Sequence, residues 1–109
     1  MFGISKRIGR FEILLPLEYN DGSLVELEKF DTTRDELGNR FGGVTLDSIQ
    51  VNGFWLDEET PYHDKLIRPR IDTVYSRKNK QIFRSYKEVL KERFLQEDIW
   101  ITVHTIEIL

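Results

Sequence analysis

From Phe11 the apolar residues fall on every second position, with Ile13, Leu15 and Leu17, while Arg10 and Glu12 take the other phase. A period of two predicts a strand over Arg7 to Leu17, closed by the Asn-Asp-Gly cluster that follows. The spacing then lengthens. From Glu26, Leu27, Phe30, Leu37 and Phe41 lie on one helical stripe, and Gly42-Gly43 supplies the left-handed stop that ends many helices. A second strand, "VTLDSIQVNGFWLD", changes phase between Val44, Leu46 and Ile49, Val51, which predicts a β-bulge near Ser48. The chain is expected to turn through "DEETPYHD" into a third strand over Lys65 to Tyr75. Phe83, Tyr86, Leu90 and Phe94 return at helical spacing in "KNKQIFRSYKEVLKERF", with Asn79 as the expected cap, and a last strand runs from Asp98 to Leu109.

The order is β-α-β-β-α-β. An offset of 53 residues lays Phe30 on Phe83, Leu37 on Leu90, Arg40 on Arg93 and Phe41 on Phe94, so both helices offer the same apolar edge to the same kind of surface. With right-handed crossovers this order predicts a single ferredoxin-like domain over residues 1–109, an α+β split βαβ sandwich with strands arranged 4-1-3-2 and both helices on one face. Pro69 then falls in an inner strand, where its missing N–H costs a ladder bond, so a kink or bulge is expected there.

Alternation also names the opposite face of the sheet. If Phe11, Ile13 and Leu15 meet the helices, then Arg10, Glu12 and Leu14 face away, joined by Arg68, Arg70 and Asp72 from the third strand and Trp100, Thr102 and His104 from the fourth. Two readings stay open. One is a ladder of cross-strand ion pairs, such as Arg70 with Glu12, that needs no function. The other is a contact surface anchored by Trp100, Arg70 and His104, covered by a second copy in a homo-oligomer, most simply a dimer, or by a protein partner.

Composition narrows the chemistry. The 109 residues suit one domain, and the absence of cysteine excludes disulfides, thiolate metal sites and a cysteine nucleophile. The net charge of −3 repels a phosphate backbone, and "LIRPRID" lacks the aromatics on which RNA-recognition sheets stack bases, so a nucleic-acid partner is not expected. The apolar run in "MFGISKRIGRFEILLPLEYNDG" is too short for a signal or membrane segment, and the chain is expected to be cytoplasmic.

No glycine-rich phosphate loop opens a helix, and no nucleophile elbow surrounds Ser48, although Ser48, His104 and Asp72 could be assembled into a triad on paper. "YHD" (Tyr62, His63, Asp64) with Asp57, Glu58 and Glu59 reads as a solvated acidic hairpin rather than a metal site. No cofactor is implied. The alternative to an interaction module is a small metal-dependent nuclease or hydrolase of the same fold, with Asp21 or Glu18 at the end of the first strand and His104 as ligands. The segments "RFEILLPL", "RFGGVT" and "IWITVHTIEIL" resemble a family of short bacterial proteins, mostly cyanobacterial. That resemblance implies no activity, cofactor or partner, and its members carry an aliphatic residue where this chain has Pro69.

Overall fold

In the computed structural model, which describes residues 7–55 and 60–109, the elements run β1 (Ile8–Pro16), α1 (Leu27–Phe41), β2 (Thr45–Trp55), β3 (Thr60–Val74), α2 (Arg77–Arg93) and β4 (Trp100–Ile106). Helix α1 stops where expected: Gly42 sits at φ 84° and its N–H reaches the Gly38 carbonyl at 2.8 Å, a backbone state that costs glycine little. The cap of α2 is Ser76 rather than Asn79. Its hydroxyl accepts from the Asn79 N–H at 3.0 Å, three residues on, while the Asn79 amide donates to the Val74 carbonyl at 2.8 Å.

The four strands form one antiparallel sheet in the order β2-β3-β1-β4, the ferredoxin-like arrangement. Phe11, Ile13 and Leu15 of β1 and Ile71 of β3 are buried against the helices with Leu37, Phe83, Leu90 and Phe94. Phe83 stacks on Phe11 at 4.1 Å between ring centroids and on Phe41 at 5.1 Å, and Phe30 meets Phe94 at 5.3 Å. Under the 53-residue offset the pairs Phe30·Phe94 and Phe41·Phe83 exchange. The two halves therefore pack about a pseudo-two-fold axis. Arginine breaks the equivalence: Arg93 binds Thr33 Oγ1 at 2.8 Å and Glu36 at 2.6 Å between the helices, whereas its counterpart Arg40 is exposed.

Pro69 needs no bulge. β1 pairs with β3 from Ile8↔Val74 to Glu12↔Arg70 and again from Leu15↔Ile67 to Pro16↔Leu66, all in one register. The bonds from the Tyr75 N–H to the Arg7 carbonyl (2.8 Å) and from the Leu17 N–H to the Lys65 carbonyl (3.3 Å) fix which residues of β1 bond toward β3: the odd ones. Ile13 and Pro69 thus face each other at a hydrogen-bonded position, and the proline has no N–H for the Ile13 carbonyl. The ring itself is fully buried on the helix side, so packing offsets the missing bond.

The bulge expected at Ser48 is also absent. β2 and β3 stay in one register from Thr45↔Arg70 to Trp55↔Thr60. The misreading has a physical cause. β2 is an edge strand beyond the helices, where Leu46 on the helix side is 41% exposed, so burial does not impose a single apolar phase on it. Part of the segment expected to turn belongs to a strand: β3 begins at Thr60, and His63 pairs with Asn52 in a ribbon whose ladder continues past the sheet. Asp57, Glu58 and Glu59 lie outside the described residues.

Candidate functional site: the open face of the sheet

Both helices cover one side of the sheet, and the register maps the other side row by row. Ile106, Ile8 and Val74 form its first row, and His104, Arg10 and Asp72 the second. Thr102, Glu12, Arg70 and Thr45 follow, then Trp100, Leu14, Arg68 and Asp47, and finally Pro16, Leu66 and Ile49. All nine residues read from the sequence as facing away from the helices share this face. Thr45, Asp47 and Ile49 of β2 belong to it as well, and the assumed bulge hid them. No sequence signal finds them, because the apolar phase of this edge strand changes between Leu46 and Ile49.

The ion pairs differ from the expected Arg70–Glu12 rung. Arg10 grips Asp72 with two bonds of 2.9 Å, from Nε and Nη2, and Arg68 grips Asp47 at 3.0 and 2.6 Å. These forks are geometrically selective because a planar guanidinium meets both carboxylate oxygens at once. Hydrogen bonds from Arg10 and Arg68 hold the Asp72 and Asp47 carboxyls below the usual range, and for Asp72 the charges of Arg10, Arg70 and His104 act in the same direction. Glu12 lies 3.9 Å from Arg68. Arg70 sits directly opposite Glu12 yet makes no hydrogen bond or ion pair among the described residues. Its neighbours on either side have taken the carboxylates that were within reach.

Apolar surface flanks this charged middle. Trp100 is 63% exposed and lies on the edge strand opposite Leu14, with Pro16, Leu66 and Ile49 half-buried beyond it. Trp100 and His104 are four residues apart on β4, and β1 separates both from Arg70, so the three expected anchors share a face without touching as a cluster.

The nuclease constellation does not come together within one chain. Asp21 Oδ1 accepts from the Ser23 N–H at 2.9 Å and from its hydroxyl at 2.5 Å, bonds that close a turn and lower the Asp21 pKa. Glu18 follows one end of β1, while His104 pairs with Arg10 near the other, roughly 26 Å away along the strand at about 3.3 Å per residue. Ser48 lies on the helix side of β2, the opposite face from His104 and Asp72. Among the described residues no three His, Asp or Glu side chains are grouped to hold a metal ion. Among the same residues no helix is long and apolar enough to cross a membrane.

No family model and no curated protein matches the chain. Solved structures do. A phage SAM lyase in complex with S-methyl-5'-thioadenosine superposes with a TM-score of 0.68 at 13% identity, covering 96% of this chain and 86% of the lyase. The B. subtilis GlnK–ATP complex gives a TM-score of 0.58 at 15% identity, covering 95% of this chain and 85% of GlnK. At such identities the likeness speaks for the shared fold alone.

Proposed function

We propose that the chain is a non-enzymatic, cytoplasmic interaction module that works through its open sheet face, covered by a second copy in a homo-oligomer, most simply a dimer. The observation that carries this reading is the make-up of the face: an uncovered tryptophan and aliphatic residues around a self-complementary block of charge. Arg10 and Asp72 stand over Glu12 and Arg70 as a checkerboard of alternating sign. Laid face to face on a copy about a two-fold axis in the sheet plane, along the strands or across them, every cation of the block meets an anion. Arg70, without a carboxylate of its own, is supplied with one by the partner.

The apolar gain is of useful size. A tryptophan 63% exposed leaves roughly 150 Å² to cover, worth about 4 kcal/mol per copy before association costs. Sedimentation velocity on Arg70→Glu tests the reading, with Arg70→Gln as the control for the attraction to Asp47 and Asp72 lost within the chain, because the charge reversal sets like charge against Glu12 or Asp72 of the second copy. Weaker association by about tenfold or more is expected; an unchanged dissociation constant counts against the face.

A second reading takes its support from the neighbours, since the ligand of the lyase and that of GlnK both contain adenosine. A melting curve with and without ATP or S-methyl-5'-thioadenosine tests it. A ligand-dependent rise favours an adenosine-binding role.

A further inference from the structure

We propose that the free edge of β4 is a docking site for an extended acidic peptide, which adds to the sheet as a fifth strand beneath the cationic flank of α2. The site is independent of the open face. Because the odd residues of β1 bond toward β3, its even residues turn toward β4 and exchange bonds with Trp100, Thr102, His104 and Ile106. The N–H and C=O groups of Ile101, Val103 and Thr105 are left pointing out of the sheet. Natural edges are protected by lysine, proline or a bulge, and "WITVHTI" has none of them and is rich in β-branched residues suited to pairing.

What lies above that edge selects the partner. Between α2 and β4 runs a cleft of about 230 Å³ with Phe83, Ile101 and Val103 in its floor and Lys80, Arg84 and Lys87 in its wall. The three cations are four and three residues apart, so they share one side of α2. Lys80 rests over the Tyr75 ring at 4.4 Å and Lys87 pairs with the exposed Asp98 at 3.2 Å, while Arg84 has no hydrogen bond or ion pair among the described residues. In a chain of net charge −3 this is a local concentration of positive charge beside an apolar floor.

An incoming strand sends alternate side chains toward the helix side, where aliphatic ones meet Ile101 and Val103 and acidic ones meet Arg84 and its neighbours. A second copy pairing through its own β4 would bring two such cationic flanks together, which disfavours it as the occupant. A nucleic acid would satisfy the cations but has no peptide groups for the edge.

The test is fluorescence anisotropy on the full chain with a labelled decapeptide Val-Thr-Glu-Thr-Val-Thr-Glu-Thr-Val-Thr, in which valine and glutamate take turns on one face and threonine fills the other. Two controls accompany it: the same peptide N-methylated on the residues that face the edge, and a labelled oligouridylate. Saturable binding is expected, weakened at least about tenfold by N-methylation and by Arg84→Glu, an exposed position whose change leaves the fold intact. N-methylation touches only the probe, so its effect reads strand addition directly. Equal binding of the methylated peptide, no loss with Arg84→Glu, tighter binding of oligouridylate, or no saturable binding at about 1 mM protein each overturns the proposal.

Discussion

Replacing Pro69 by valine asks whether the inner strand is built around its proline. The perturbation adds one N–H opposite the Ile13 carbonyl in an otherwise unbroken register, and that ladder bond is worth about 0.5–1.5 kcal/mol net. Against it stands the loss of the proline's restriction on the unfolded chain, about 0.4–1 kcal/mol. The ring is fully buried, so the slightly larger valine must also be accommodated among the core side chains. The terms nearly cancel. Pro69→Val should leave stability within about 1 kcal/mol of the parent, with an unchanged urea m-value. Urea unfolding measures the balance, and hydrogen exchange reads the bond: the amide introduced at position 69 should be protected like its strand neighbours. A loss of more than about 2 kcal/mol, or free-chain exchange at that amide, would refute the assignment of Ile13 and Pro69 to a hydrogen-bonded pair.

Other residues carry further expectations. A Cβ at Gly9 would lie 3.1 Å from the Phe11 and Tyr75 rings and 3.2 Å from a Val103 methyl, so Gly9→Ala should cost about 1–3 kcal/mol in the same unfolding assay. Arg93→Ala should cost about 1.5–3 kcal/mol, because Thr33, Glu36 and Tyr86 lose a shared charged donor. In the parent, burial pushes the Tyr86 hydroxyl up to about 12, and ultraviolet titration of the parent against Tyr86→Phe should locate it there. The Asp47 and Asp72 pKa values are depressed in the folded state, so their contribution is complete above the unfolded carboxyl value near 3.9 and is lost as pH falls through the folded ones. Thermal melts should therefore weaken below about pH 4, and a variant combining Arg10→Met with Arg68→Met should show a shallower decline.

Element order and strand arrangement were legible because β1 is buried on one side only: Phe11, Ile13 and Leu15 keep strict alternation, and the two helices repeat one apolar stripe. Strand β2 was not legible in phase. It lies at the edge beyond the helices, where neither Leu46 nor Ile49 is forced inside, and Asp47 was lost from the site with it. The ion pairs escaped for a related reason. Register sets which residues face each other, but the reach of a guanidinium decides the bond, and Arg68 takes Asp47 directly across while Arg70 is left without a carboxylate. Pro69 looked like a disruption because its missing donor is visible in the sequence, whereas its place in the core is a tertiary fact.

The claim that the open face is an interface between copies is tested most directly by mass. Sedimentation equilibrium over a wide concentration range should give a whole multiple of 13.0 kDa for the parent, twice that value for the dimer, falling toward 13.0 kDa for Trp100→Ala while the circular dichroism spectrum of the fold is unchanged. A parent that stays at 13.0 kDa at the highest concentration, or an assembly indifferent to loss of the tryptophan, would contradict it.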